Sequence, residues 1–291
     1  MEATTATARH VSTSLPARAW AWLRRNALMI YAGLAVAYML IPIAVIALFS
    51  FEKGNDQGEL DFAWDGFSFE YWTDAFGQVA VNESMITSLQ LAALSMVVST
   101  AIGTLMALAL VRYEFFGRRA TNLLIILPMA TPEIVIGAAL LSLFISYNFD
   151  LGFTSLFIAH VMFSISFVVV VVRSRLIGFD RSIEEAAADL GAKPLTTFRL
   201  VTFPLLAPGI LAAALLAFAL SLDDFVISNF DSGTTVTFPL YIFGASLRGI
   251  PVQVNVLATM LFAVTVVAIM LVLWQQRRAE QMAAVRPDPE V

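Results

Sequence analysis

The sequence predicts an all-α integral membrane protein of about six transmembrane helices, and three observations carry that prediction. Hydrophobic residues fill 59% of the 291 positions and charged residues only 13%, giving a mean hydropathy of +0.81, far above that of an ordinary soluble domain. The apolar residues gather in runs long enough to cross a bilayer, which takes about 20 residues each. Arg and Lys crowd alternate connecting segments and nearly vanish from the others, as the cytoplasmic and outer loops of a multi-spanning chain do.

Taken in order, residues 1–26 are rich in Ala, Thr and Arg without sustained periodicity and read as a loose cytoplasmic tail. The first span, about 27–50, follows Arg24 and Arg25 as a signal peptide would. It is longer than the apolar region of such a peptide and no clear small-residue cleavage site follows it, so it reads as a retained anchor. An outer loop at about 51–83 carries the turn signals KGND and DG and the aromatics Phe62, Trp64, Phe67, Phe69, Tyr71 and Trp72. These suit a short amphipathic element at the interface, serving either as an aromatic belt or as a docking surface.

The second span covers about 85–111 and the third about 121–147. Within the third, ILPMATPEIVIG places Pro128 and Pro132 where each removes a helix donor, so this span should be bent or broken. A fourth span at 153–172, a polar cytoplasmic segment at 173–207, and spans at 208–228 and 254–274 complete the domain. Residues 275–291, ending in RPDPEV, form a second cytoplasmic tail.

With the N-terminus inside, fifteen of the seventeen positive residues fall in cytoplasmic segments and only Lys53 and Arg248 lie outside, so both termini are expected in the cytoplasm. The chain has no Cys, which excludes disulfides, thiolate metal sites and iron–sulfur clusters within it. No internal repeat is evident, so the inverted-repeat architecture of many secondary transporters is not supported.

The polar segment has its own pattern. Ser182 followed three residues later by Glu185 resembles a capping box. Ile183, Ala186, Ala187 and Leu190 then fall on one helical face, and Gly191 is placed to end the helix as a left-handed cap. Pro194 suits the first turn of a second helix with a stripe of Leu195, Phe198 and Val201, expected to stop before Pro204 and Pro208. Two readings follow from physics: an amphipathic loop lying on the membrane, or a compact knob seated in a groove of a partner.

The order Glu185-Ala186-Ala187, three residues, Gly191, nine residues, Val201, one residue, Phe203-Pro204 resembles the EAA loop of ABC importer permeases, with Val201 and Phe203 in place of that pattern's Ile and Leu. The resemblance implies that Glu185, Ala186, Ala187, Leu190 and Gly191 form a coupling helix seated on an ATP-hydrolysing subunit. This chain is not that subunit. A phosphate-binding loop needs Gly immediately before its Lys, whereas Lys53 follows Glu52 and Lys193 follows Ala192. No catalytic constellation or metal site is evident. His10 lies in the tail, and His160, alone in the fourth span, reads as a helix–helix hydrogen-bonding residue.

Carboxylates inside spans are expensive and therefore candidates for function. Glu133 follows the prolines of the third span, and Asp223 and Asp224 lie together in the outer third of the fifth. Helix neighbours diverge by about 100°, so one Asp lines a path while the other caps or bonds to a neighbouring helix. Acids along a path favour a cation; the alternative is that they only tie helices together.

The stretch from Ser221 to Met260, with Leu222-Asp223-Asp224-Phe225, Phe230, Gly233, Pro239, Pro251, Asn255, Ala258 and Thr259, resembles the second permease subunit of spermidine/putrescine importers. That resemblance implies a bacterial inner-membrane permease, not an enzyme, paired with a second homologous permease subunit. It also implies two ATP-binding subunits carrying ATP and Mg, a periplasmic solute-binding protein, no cofactor in this chain and no nucleic-acid partner. A permease for another small organic cation or amino-acid-like solute, or an ATP-independent secondary transporter, is the alternative.

Overall fold

The computed structural model describes residues 15–60, 64 and 66–284. The expectations for residues 1–14, Phe62 and the terminal RPDPEV lie outside that range. In chain order the α-helices are α1 (Leu15–Phe49), α2 (Glu70–Thr73), α3 (Val79–Arg112), α4 (Arg118–Ala130), α5 (Glu133–Ser146), α6 (Phe153–Ile177), α7 (Ser182–Asp189), α8 (Pro194–Thr197), α9 (Phe203–Asp223), α10 (Val226–Asp231), α11 (Phe238–Ser246) and α12 (Val252–Ala284). A π turn, Phe198–Thr202, joins α8 to α9. Among the described residues β-pairing is limited to two isolated bridges.

Residues up to Ala75 together with those from Pro251 onward form one compact unit, and Phe76–Ile250 form another. In the first unit α1 packs against α12. Both helices outrun their expected spans: α1 starts at Leu15 rather than near 27, and α12 continues to Ala284 rather than ending near 274. Ala, Leu, Arg and Gln in these flanks are good helix formers, so the hydrogen-bond ladder continues past the apolar run. The intervening loop is pinned by the pairings Glu52–Phe67 and Glu59–Pro251. The loop holds the single turn α2, whose Trp72 stacks on Phe51, and Phe51 stacks in turn on Phe67, each at 5.1 Å between ring centroids.

The second unit is built on α3, α6 and α9, which pack on one another. Small residues line their contact: Ala107 of α3 and Ala213 and Ala217 of α9 are buried in one cluster with Val168, Val169 and Val172 of α6. Without a hydrophobic force between helices in lipid, close backbone approach of this kind supplies the packing energy. At the tightest point a Cβ on Gly103 would lie 2.6 Å from Val168 Cγ1.

Among the described residues four helical segments are long and apolar enough to cross a bilayer, Arg24–Phe49, Val79–Arg112, Phe153–Ile177 and Pro194–Asp223, and the bent pair α4–α5 makes five if it is one span. In place of the expected sixth span the apolar part of α12 is the shorter Val252–Val267. The expected break in the third span is present, since α4 and α5 meet at 112° across Thr131 and Pro132. Two expectations are overturned. The helix beginning at Pro194 does not stop before Pro204, because the π turn lets the Phe203 N–H bond to the Phe198 carbonyl and carries the chain into α9 with Pro204 in its first turn. Nor does the fifth span run to 228. It ends at Asp223, where Asp224 is extended (ψ 117°) and a new helix, α10, begins.

Candidate functional site

The polar segment at 173–207 forms helix, turn and helix as its pattern indicates, although its start is capped differently. Arg181, the residue before α7, makes no side-chain cap bond. Instead Asp180 Oδ1 accepts the Ser182 N–H at 2.9 Å. That bond holds the exposed Asp180 carboxyl below the usual carboxylate range. At the other end Gly191 adopts φ +83°. Ala192 N–H reaches the Ala187 carbonyl at 3.0 Å and Gly191 N–H reaches that of Ala188 at 2.8 Å. These two bonds are the Schellman pattern, which satisfies the last free carbonyls of a helix. A Cβ at Gly191 would meet nothing within 4 Å, so the backbone angle and not crowding inside the chain requires glycine.

None of the α7 residues is buried. Glu185 and Ala186 are exposed and Ala187 half-buried, while Leu190 stands 90% exposed beside exposed Leu195. The stripe of Ile183, Ala186, Ala187 and Leu190 is therefore an open face, not one covered by this chain. What ties α7 down is Glu184, which the sequence pattern did not single out. Its Oε1 lies 2.5 Å from Arg112 Nη2 at the end of α3 and accepts the Thr202 hydroxyl from the π turn. The one signal for it was the doubled glutamate: helix neighbours diverge by about 100°, so when Glu185 faces solvent Glu184 faces the bundle.

The three intramembrane acids come together at two helix breaks. Glu133 is the first residue of α5, just past the α4–α5 bend, and is exposed. Asp223 ends α9 and is exposed as well. Helix α5, which Glu133 opens, packs against α10, which follows directly on Asp223 and Asp224. Asp224 is 8% exposed and fully engaged. Its carboxylate accepts the N–H of Ile227 at 3.3 Å and of Ser228 at 2.8 Å, capping α10. Its Oδ2 also lies 3.5 Å from His160 Nε2.

His160, buried on α6, sits 2.7 Å from Ser221 Oγ through Nδ1 and 3.1 Å from Ser228 Oγ through Nε2, joining α6, α9 and α10. The pair thus divides, with Asp224 as a structural cap and Asp223 left uncovered at the end of α9. The polar turn at Gly191 and the acids at Asp223 are separate sites, linked by α9. Among the described residues no three His, Asp or Glu side chains converge as a metal site.

The helical arrangement is similar to a chain of a bacterial alginate ABC transporter, solved in complex with an alginate pentasaccharide-bound periplasmic protein. That likeness has a TM-score of 0.62 at 16% identity and covers 91% of this chain and 98% of the other. It concerns the fold. In sequence the chain is similar to the spermidine/putrescine transport system permease protein PotC of Haemophilus influenzae, at 37% identity over 85% of this chain and 94% of that protein. It is also similar to the putrescine transport system permease protein PotI of Escherichia coli K12, at 33% identity over 85% and 90%. Residues 99–281, which include both breaks, the polar helix–turn–helix segment and the whole α3–α6–α9 packing from Ser99 onward, match the family of binding-protein-dependent transport system inner membrane components, and the chain belongs to that family.

Proposed function

We propose that this chain is a permease subunit of an ATP-driven importer that carries polyamines, spermidine and putrescine among them, across the bacterial inner membrane. The observation that carries the cargo reading is that Asp223 and Glu133 are both uncovered at helix breaks whose following helices, α10 and α5, pack together. Two carboxylates in a low-dielectric path lower the energy of a passing polycation and repel anions. The polyamine-transport names of the relatives point the same way. Asp223 and Glu133 are the cation-facing groups, and Asp224 holds the break open by capping α10.

ATP and Mg belong to two separate ATP-binding subunits, on which Glu185, Ala186, Ala187, Leu190 and Gly191 seat as a coupling helix. A second, homologous permease completes the path, and a periplasmic solute-binding protein delivers cargo to the outer face. Closure of the ATP-binding pair moves the coupling helices and shifts the population between inward-open and outward-open states. No bond in the cargo changes.

The test is uptake of labelled spermidine, putrescine and several amino acids by cells with and without this chain, repeated after ATP depletion. Selective, ATP-dependent loss of polyamine uptake is expected. Intact polyamine uptake with loss of another cationic solute would keep the importer and replace its cargo, since the same acids serve any small organic cation.

A further inference from the structure

Among the described residues the exposed α7 turn has one charged tie to a membrane helix that is not its chain neighbour, through Glu184. Resting on the reading of that turn as the seat of the ATP-hydrolysing partner, we infer that Glu184 is the positioning residue that transmits movement of the turn to the membrane helices, by clasping Arg112 of α3 and Thr202 at the head of α9.

Apart from the clasp, α7 buries no side chain and packs chiefly against α8 and the π turn, the segment that runs on into α9, so the clasp is its charged link to α3 as well. The clasp reaches across 72 residues of sequence to Arg112 and 18 to Thr202, with one carboxylate oxygen serving both donors. Arg112 and Glu184 are only 22% and 18% exposed, so salt screens this pair less than an ion pair in open water.

Both anchors lead into the membrane. Thr202 is fully buried, and from there the helix runs to Asp223, about 32 Å at 1.5 Å per residue and close to the thickness of the hydrocarbon core. Arg112 closes the last turn of α3, which packs against α9 through small residues along the unit's core. A pull on Glu184 thus acts on two packed rods at once, and one of them ends at the acidic break. The π turn between loop and rod is a segment of the kind that absorbs a change of helix register. Glu185, about 100° further round α7, stays free for the partner.

The test uses the complete transporter, with its ATP-binding subunits and solute-binding protein, reconstituted in liposomes and supplied with labelled spermidine. The quantity read is uptake per ATP hydrolysed. Glu184→Gln keeps the shape and removes the charge. The complex should assemble and hydrolyse ATP while the ratio falls roughly tenfold, within the range of site–site coupling energies. Arg112→Glu combined with Glu184→Arg should recover most of the loss. Thr202→Val, which removes only the hydroxyl, should lower the ratio less and carries the test if the Glu184 variant does not assemble.

An unchanged ratio in Glu184→Gln, or in Thr202→Val where that variant stands in, overturns the inference, as does an assembled double variant with no recovery. A cross-link from Leu190→Cys to the ATP-binding subunit separates the two readings. Cross-linking with an unchanged ratio in Glu184→Gln removes the clasp alone, whereas no cross-linking in the otherwise unaltered complex removes the seat and the clasp with it.

Discussion

At the scale of single residues, the structure separates side chains that the sequence presents as equals. Asp223 and Asp224 are adjacent, yet one is exposed and the other caps α10 while facing His160. Asp223→Asn should lower polyamine uptake and leave thermal unfolding of the detergent-solubilised chain in place. Asp224→Ala should lower the unfolding temperature, because losing a helix cap costs about 1 kcal/mol; equal effects of the two on unfolding would refute the division. Gly191 lies in open space at φ +83°. Asp tolerates that backbone region better than most residues, so Gly191→Asp should leave the fold intact and abolish stimulation of ATP hydrolysis by cargo-loaded binding protein. Normal stimulation would show that nothing seats on the turn. Glu184 was not legible as an anchor, because which of two neighbouring glutamates turns inward depends on where Arg112 and Thr202 stand.

At the scale of elements, helix starts and stops follow local chemistry where the partner atoms are close in sequence, and depart from it where they are not. Gly191 ends α7 as its position indicates. The apparent capping box at Ser182 yields to Asp180, two residues earlier, whose carboxylate already satisfies the Ser182 N–H. Because that carboxyl titrates below its usual range, its support for the first turn is fully present above the unfolded-state value and fades as pH falls through the lower folded value. The protection of the Glu184 and Glu185 amides, measured as exchange relative to the intrinsic rate at each pH, should therefore fall in acid, and Asp180→Ala should lower it already at neutral pH. Between elements the close approach of α3 and α6 sets a second test. A methyl at Gly103 would press on Val168 at 2.6 Å, so Gly103→Ala should destabilise the chain by about 1–3 kcal/mol, the usual range for overpacking. An unchanged unfolding temperature would mean that the two helices separate more freely than their packing indicates.

At the scale of the whole molecule, the two sites lie at opposite ends of one helix, and the charge pattern assigns a side to each. The absence of cysteine makes this directly measurable, since any introduced thiol is the sole target of a membrane-impermeant label. Leu190→Cys should react only from the cytoplasmic side and Leu247→Cys, also exposed, only from outside. Reversed labelling would invert the orientation that Arg and Lys imply.

The sequence by itself determined the membrane class, the helical content, the bend at Pro132 and the helix–turn–helix at Gly191. Each of these depends on chemistry within a few residues: apolar run length, missing proline donors, a glycine that accepts positive φ. The resemblance of its motifs also reached the family. Only the tertiary structure decided where the fifth helix ends, which Asp remains uncovered, and that Glu184 joins α7 to α3 and α9. Those outcomes depend on groups far apart in the chain, His160 with Asp224 and Arg112 with Glu184, and no local pattern records which distant group will reach a given carboxylate.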